Sequence, residues 1–300
     1  MSAITNLDSA SGLVAFVTTV EVGGFAAASR QLGVSASAVG KAVGRLEARL
    51  GVKLLQRTTR SISLTSDGEL FYARAARILD AMREAEDAIN QTLAAPRGRL
   101  KVSVPCVLGR RMVIPALPAF LDAYPEVELD LWLDDRRVDI VEEGYDLAIR
   151  MGVLNDSSLI AHKIAPHRFV TCGAPNYFAT HGTPRTPDEL AHHPCIRYRF
   201  PTTGYPELWA FKDVVGKVPL GTGSVFNDGE ALTAAARAGL GIVQLPAYQV
   251  SEDLAAGRLQ AILTDYTENR GDICLLWPPG RMVAPRIQVF ADFVIHLLAP

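Results

Sequence analysis

Apolar side chains near the N-terminus recur with the period of a helix. Between Leu13 and Val20 they fall at i, i+3, i+4 and i+7, which predicts an amphipathic helix with one buried face. Gly23-Gly24 predicts the end of that helix. The alanine-rich run 26–32 predicts a second short helix, and Gly33-Val34 predicts a tight turn after it. The chain therefore begins with short helices joined closely.

A third helix is predicted from Ser35, as its N-cap, to about Leu50, with Gly51 closing it. Its apolar face carries Val39, Val43 and Leu46. Another face carries a polar and basic residue at every fourth position: Ser37, Lys41 and Arg45. This helix-turn-helix pattern suits the DNA major groove, because small polar residues can reach base edges and basic ones can meet phosphate or guanine. An ordinary three-helix bundle with a solvated face is the alternative.

Two short runs with strand character follow, at 52–56 and 61–65. The residues between them place two arginines and two threonines at the tip of a predicted hairpin, which would form a wing beside the third helix. Ser35 serves equally well as a helix cap alone. The predicted DNA-contacting residues are Ser35, Ser37, Lys41, Arg45, Arg57, Thr58, Thr59 and Arg60.

A long helix is predicted over 66–94, capped by Thr65 or Ser66 and spanning roughly 43 Å at 1.5 Å per residue. Apolar residues follow heptad spacing along it: Phe71, Ala75, Ile78, Met82, Ala85 and Ile89. A second copy of the chain is the favoured partner for this seam, and packing on the helix's own domain is the alternative. The run 95–98 marks a domain boundary.

Residues 99–300 alternate short apolar runs with helical patterns, which is typical of an α/β domain with a parallel sheet. The first part predicts strands at 100–104, 127–133 and 146–150 and helices at 110–124 and 137–144. The pattern restarts after about Ile164, with strands at 169–172, 195–198, 224–226 and 241–245 and helices at 175–181 and 228–238. A last strand at 272–277 and helix at 285–298 return to the first lobe. Two lobes of this kind form a ligand cleft at the strand ends.

Composition narrows the class of protein. Hydrophobic residues make up 49% and charged residues 21%, which indicates a globular chain and excludes dominant disorder. We expect neither a membrane span nor a secretory signal, and so a cytoplasmic protein. The four cysteines lack C-x-x-C spacing, which predicts neither a disulfide framework nor a zinc site.

The net charge of −2 conceals an asymmetry. Residues 1–66 carry seven basic and three acidic side chains, a balance of +4, against −6 for the remainder. This distribution indicates either a polyanionic partner for the N-terminal part or a basic face that is merely solvated.

Three other classes of function compete with a DNA-binding regulator. No G-x-S-x-G, H-E-x-x-H, G-x-G-x-x-G or P-loop pattern is present, so we expect neither an enzyme, nor a cofactor, nor a metal. A free-standing solute-binding protein would explain two lobes but leaves residues 1–98 unexplained. A structural nucleoid protein would need no ligand cleft.

Several motifs together resemble the LysR-type transcriptional regulators over nearly the whole chain, above all the subgroup with R-T-T-R in the wing. The N-terminal ones are AFVTTVEVGGFAAASRQLGVS (15–35), AVGKAVGRLEARLGVKLL (38–55) and QRTTRSISLTSDG (56–68). The others are PAFLDAYPEV (118–127), DDRRVDIVEEGYDLAIRMG (134–152) and AGLGIVQLP (238–246). The chain departs from the family at Gly40, where Ser is usual, and at Ala36, where Pro or Gln is common; base preference depends on these positions.

The resemblance implies a multidomain chain. An N-terminal, mainly α-helical winged helix-turn-helix (1–65) is followed by a linker and dimerisation helix (66–98). A two-lobed α/β effector domain similar to periplasmic binding proteins follows (99–300), with lobe I at 99–164 and 271–300 and lobe II at 165–270. The implied partners are double-stranded DNA with an inverted repeat at a promoter, a small-molecule effector, further copies forming a homodimer or homotetramer, and RNA polymerase if the protein is an activator.

The resemblance also implies an effector pocket between the lobes. Its predicted residues are Ser103, Pro105, Cys106, Val107, Arg150, Asn227 and Asp228. Amide groups at the helix start near Cys106 would suit an organic acid, although neutral ligands remain open. Arg150 could pair with a ligand carboxylate or with an acid of the protein. Cys106 is either a small lining residue or a redox-sensitive thiol.

Overall fold

The computed structural model of the chain describes residues 7–57, 62–90, 95–152, 158–214 and 218–299. The chain divides into two compact units, 1–93 and 94–300. The first unit contains, in order, α1 (Leu7–Glu21), α2 (Phe25–Leu32), α3 (Ala36–Leu50), β1 (Leu55–Arg57), β2 (Ile62–Leu64) and α4 (Ser66–Asn90).

The apolar faces predicted from helical spacing form the core of the first unit. Phe16 of α1 and Val43 of α3 are fully buried, and Leu54 closes the core from the segment before β1. Gly33 ends α2 and Gly51 ends α3, both with positive φ, a conformation that glycine adopts without a steric cost. These caps explain why the ends of α2 and α3 could be predicted from the sequence.

The predicted hairpin is present and shorter than expected. β1 and β2 pair antiparallel, with Leu55 opposite Leu64. Thr65 caps α4, because its hydroxyl accepts a hydrogen bond from the Gly68 amide and donates one to the Lys53 carbonyl. A Cβ atom on Gly68 would lie 2.0 Å from the Leu54 carbonyl oxygen, so only glycine allows this close approach.

The heptad residues of α4 divide into two groups. Phe71 packs against Phe16 at 5.6 Å between ring centroids, and Ala75 is buried in the same core. Their assignment to a dimer seam is therefore corrected: this part of α4 packs on its own domain. Ile78 and Met82 are about half exposed, at 53% and 49%. The side chains of Ala85 and Ile89 lie outside the described residues.

The second unit is built on one large sheet. Its elements are β3 (Gly98–Val104), α5 (Cys106–Leu108), α6 (Ile114–Ala123), β4 (Val127–Leu133), β5 (Leu147–Gly152), β6 (Ile160–Gly173), α7 (Pro175–His181), β7 (Arg197–Tyr198), β8 (Val225–Phe226), α8 (Gly229–Arg237), β9 (Val243–Pro246), α9 (Ala247–Ala255), β10 (Gln260–Ile262), β11 (Asn269–Trp277) and α10 (Pro285–Leu298). A π-helical turn (Gly109–Val113) joins α5 to α6, and 3-10 turns cover 187–192, 264–266 and 281–283.

The large sheet is mixed rather than parallel. β3 pairs parallel with β4 and β5, as predicted, but β11 pairs antiparallel with both β5 and β6. β9 and β10 are also antiparallel to β6. The predicted helix at 137–144 is wrong: this segment forms hydrogen-bonded turns that end at Gly144 with positive φ.

Two hydrophobic cores flank this sheet. One contains Leu100, Leu147 and Phe290, and the other contains Cys172, Leu232 and Val243. β6 joins them, because its first half pairs with β11 while its last residues pair with β9 and β10. The unit is therefore two-lobed, and β6 and β11 pass between the lobes.

Candidate functional site

The predicted polar and basic face of α3 is exposed. Ser35 caps the helix, because its Oγ accepts a hydrogen bond from the Ala38 amide at 3.1 Å. Ser37, Lys41 and Arg45 are exposed, while the opposite face is buried. Gly40 has no neighbouring atom within 4 Å of an added Cβ, so the serine that the family resemblance leads us to expect would fit there.

The wing is described only in part. Arg57 is the last residue of β1, and its side chain lies outside the described residues. Thr58, Thr59 and Arg60 also lie outside them. The four wing predictions therefore stay predictions.

Glu47 holds the joint between α3 and β1. Its carboxylate is buried and accepts hydrogen bonds from Lys53 Nζ at 2.8 Å and from the amides of Leu54 and Leu55 at 3.0 and 3.2 Å. Burial acts to raise the pKa of Glu47, but these hydrogen bonds outweigh burial and lower it. Glu47 therefore has a structural role. The exposed face of α3, which carries Lys41 and Arg45, is basic and suits an anionic partner.

The second unit encloses a cavity of about 730 Å³, which we call the effector cavity. Its walls come from both lobes and include the predicted residues Pro105, Val107 and Arg150. Aromatic rings contribute much of the lining: Phe169, Tyr198, Phe200 and Tyr248. Such a concave, mainly apolar volume with a few polar groups is typical of a small-molecule site.

Arg150 is the predicted residue with the clearest role in the effector cavity. Its guanidinium donates hydrogen bonds to Ser103 Oγ at 2.8 Å and to the Ile149 carbonyl at 2.7 Å. Among the described residues no carboxylate lies within 4 Å of it, so the structure does not favour the pairing with an acid of the protein. Burial lowers the pKa of Arg150, and nearby carboxylates such as Asp134 oppose that shift. Ser103 is buried and does not line the effector cavity itself; it contacts Arg150, which does.

The amide expected to attract an anion is already occupied. The Cys106 amide donates to Asp135 Oδ1 at 2.8 Å, and Tyr198 donates its hydroxyl to Asp135 Oδ2 at 3.1 Å. Burial, together with the charge of Asp135, raises the pKa of the Cys106 thiol to about 11. The redox-sensitive interpretation, which needs a lowered pKa, is therefore not supported.

Asn227 and Asp228 do not line the effector cavity. Asp228 caps α8, because its side chain accepts a hydrogen bond from the Ala231 amide at 2.8 Å. Glu230 accepts two hydrogen bonds from Arg111, at 2.7 and 2.8 Å. This bidentate pair joins the two lobes.

Several cavity residues escaped the sequence analysis. Arg270 donates to Glu207 at 2.8 Å and lies over the Phe169 ring at 4.4 Å. His167 is buried, its ring is 4.6 Å from Phe169, and its Nε2 atom has no hydrogen-bond partner among the described residues. His167 and Phe169 stand two apart on β6, and recognising that strand would have put both on one face.

Known proteins agree with this architecture. A family model described as "LysR substrate binding domain" matches residues 94–299, and one described as "Bacterial regulatory helix-turn-helix protein, lysR family" matches residues 11–69. The chain is 36% identical over 300 residues to the HTH-type transcriptional regulator DmlR of Escherichia coli strain K12, covering 99% of this chain and 96% of DmlR. It is 35% identical over 288 residues to CrgA of Neisseria meningitidis serogroup B, covering 95% of this chain and 96% of CrgA.

Solved structures give the same result. The structure of CrgA, a LysR-type regulator from Neisseria meningitidis, matches with a TM-score of 0.63 at 34% identity over 96% of this chain and 98% of that one. The full-length Vibrio cholerae virulence activator AphB matches with a TM-score of 0.57 at 27% identity over 96% of this chain and 98% of that one. The chain belongs to the LysR family of bacterial transcriptional regulators.

Family membership defines the class of activity. The chain is a DNA-binding transcriptional regulator that is controlled by a small-molecule effector, and it is not an enzyme. LysR regulators oligomerise. None of the helices in the described part of the chain is both long enough and apolar enough to span a membrane.

Proposed function

We propose that the chain binds an inverted repeat at a promoter, with α3 of each of two copies entering successive major grooves about 34–36 Å apart. The observation that carries this proposal is the exposed face of α3, where Ser37, Lys41 and Arg45 recur every four residues above a buried apolar face. Ser35 and the wing residues Arg57, Thr58, Thr59 and Arg60 contact the backbone beside that groove.

Dimers form along α4, and two dimers form a tetramer. The support is the half-exposure of Ile78 and Met82, since large apolar side chains on a polar helix are typical of an interface. Ala85 and Ile89 continue the same spacing toward the end of the helix. The seam begins at Ile78.

The effector is an organic acid whose carboxylate meets Arg150. A half-buried guanidinium that lacks a carboxylate partner among the described residues favours an anionic ligand. Binding of the acid closes the two lobes. It shifts the equilibrium between the open and closed states only as far as these states differ in affinity for the acid. Pro105 and Val107 line the same cavity, and Cys106 lies between them in the chain.

The domain boundaries complete the proposal. The winged helix-turn-helix covers 1–65, the linker 66–98 and the effector domain 99–300, with lobe I at 99–164 and 271–300 and lobe II at 165–270. The protein works in the cytoplasm, where promoter DNA lies, and as an activator it would contact RNA polymerase.

Selection of the purified full chain against random duplex DNA, read by sequencing at moderate salt, tests the proposal. We expect an inverted repeat with half-sites about one helical turn apart. A matched selection with Lys41→Ala should recover the repeat poorly. Recovery of no motif, with binding that disappears as salt rises, would leave only non-specific electrostatic attraction and contradict the proposal.

A further inference from the structure

The charges that line the effector cavity nearly cancel. Arg136 pairs with Asp134 at 2.7 Å, and Arg270 pairs with Glu207 at 2.8 Å. Counting all charged lining residues gives four guanidinium groups, of Arg136, Arg137, Arg150 and Arg270, against three carboxylates, of Asp134, Asp135 and Glu207. The balance of +1 suits a ligand with one negative charge, and the half-buried guanidinium of Arg150 is available to receive it.

The walls beyond Arg150 are mostly apolar and flat. Phe169, Tyr198 and Tyr248 present rings, and the aliphatic residues Val138, Ile140, Leu159, Leu245 and Leu276 fill the space between them. Tyr248 stacks on His167 with 22° between the ring planes. An aromatic ligand body suits these surfaces, because aromatic rings stabilise one another in offset and edge-to-face contacts. A small, highly solvated acid would leave this apolar surface uncovered.

His167 supplies an unused polar group. The residue is 7% exposed, and its Nε2 atom has no hydrogen-bond partner among the described residues. Burial, assisted by the neighbouring Arg270 cation, lowers the pKa of His167 to about 4, so the ring is neutral near pH 7. A buried polar atom without a partner favours a ligand that supplies one. A second ligand carboxylate would find no cation there, since Arg270 is already paired with Glu207.

The sheet register places Arg150 and His167 at different ends of the effector cavity. Arg150 of β5 stands opposite Cys274 of β11, which stands opposite Lys163 of β6. His167 is therefore two strands across and four residues along from Arg150, roughly 16 Å between Cα atoms. Both side chains line the space between, which leaves room for one ring with a polar group at each end.

We propose that the effector is an aromatic monocarboxylate with an uncharged hydroxyl-type substituent across the ring. Arg150, steadied by Ser103, receives the carboxylate, and His167 hydrogen-bonds the substituent. This inference rests on the proposed organic-acid function and narrows it: small dicarboxylates are excluded as preferred effectors. His167 determines specificity among aromatic acids.

Isothermal titration of the purified full chain with three probes tests the proposal: 4-hydroxybenzoate, benzoate and succinate. We expect 4-hydroxybenzoate to bind at least about tenfold more tightly than either other probe, the usual worth of one buried hydrogen bond. His167→Phe should remove the advantage of 4-hydroxybenzoate over benzoate, and His167→Gln, which keeps a hydrogen-bonding group, should retain part of it. His162→Phe, at an exposed position of the same strand, is the control and should keep the full ratio.

Arg150→Met separates this inference from the proposed function. It should weaken both aromatic acids by at least about tenfold, while Arg168→Met, at an exposed position of β6, should leave them unchanged. Succinate binding as tightly as 4-hydroxybenzoate, with loss in Arg150→Met, would overturn the aromatic class and leave the organic-acid function standing. Binding indifferent to Arg150→Met, or no binding of any probe, would overturn both. An unchanged ratio in His167→Phe would overturn the role of His167.

Discussion

The exposed face of α3 and the effector cavity are the two proposed recognition surfaces, and they are built in opposite ways. The α3 face comes from one helix, and its residues repeat every four positions. The cavity draws on segments spread from Pro105 to Leu276 and on both lobes. A surface made by one helix can be predicted from the spacing of residues in the sequence. A surface assembled by a sheet can be predicted only when the order of the strands is known.

The two surfaces also use charge differently. Lys41 and Arg45 stand in solvent, where salt screens their attraction for phosphate. Arg150 is half-buried in the cavity wall, where its attraction for an anion is stronger and less screened than at an exposed position. We therefore expect DNA affinity to depend steeply on salt and effector affinity to depend on it weakly.

The largest effect is expected from Glu47→Ala, which tests whether the α3 surface depends on a buried support. The change leaves the Leu54 and Leu55 amides without their acceptor and should lower the free energy of unfolding of the first unit by about 2–4 kcal/mol. Because hydrogen bonding lowers the pKa of Glu47, this stabilisation is present above its ordinary pKa and is lost as pH falls through the lowered value. Hydrogen exchange of α1–α3 amides measures the loss.

Lys53→Ala is the matched control for Glu47→Ala. Lys53 is the exposed partner, with 75% of its side chain accessible, so its removal should cost less than about 1 kcal/mol. Equal losses in the two variants would show that the amide contacts contribute nothing and that only the ion pair matters.

A smaller effect is expected from Met82→Glu, which tests whether α4 forms the dimer interface that brings two α3 surfaces together. A charge placed in an apolar seam should weaken dimerisation by roughly thirtyfold, about 2 kcal/mol. Sedimentation across a concentration series measures the shift toward monomer. Arg74→Glu, at an exposed position of the same helix outside the heptad spacing, should sediment like the wild type. Unchanged sedimentation of Met82→Glu would contradict the assignment of the dimer interface to this face of α4.

The smallest effect is expected at Cys106, which follows Pro105 in the chain but does not itself line the effector cavity. Because its pKa is raised to about 11, the thiol stays protonated at neutral pH and reacts slowly. Iodoacetamide labelling, followed by peptide mass spectrometry, should accelerate only as pH rises toward that value. Cys106→Ser should change DNA affinity by less than about twofold. Rapid labelling at pH 7 would restore the redox interpretation.

The sequence predicts elements whose signals are local. Ser35 and Gly51 delimit α3, Thr65 begins α4, and the last helix, 285–298, has the bounds that its pattern predicts. In each case the residue that sets the boundary lies at the end of the element it delimits. The family resemblance, and not a local pattern, assigned Pro105, Val107 and Arg150 to the effector cavity, and all three line it.

The remaining features depend on contacts that cross the chain. The first half of β6 contains Pro166, which lacks an amide hydrogen and argues against a strand, yet β11 pairs there with a register shift. The carboxylate of Asp135, 29 residues away in the chain, accepts the hydrogen bond of the Cys106 amide, so this amide is not available to a ligand anion. His167 became recognisable only once β6 and β11 were paired. The spacing of apolar residues along the chain does not predict any of these pairings.

The separation of the two surfaces is tested most directly by DNA affinity at several salt concentrations, measured by fluorescence anisotropy with the selected inverted repeat. Lys41→Ala should weaken binding about tenfold and reduce the slope of log K against log salt by about 1. Arg150→Met, and Arg74→Ala as the matched exposed arginine, should stay within about twofold of the wild type. Unchanged affinity in Lys41→Ala, or an equal loss in Arg150→Met, would contradict the assignment of DNA to α3 and of the effector to the cavity.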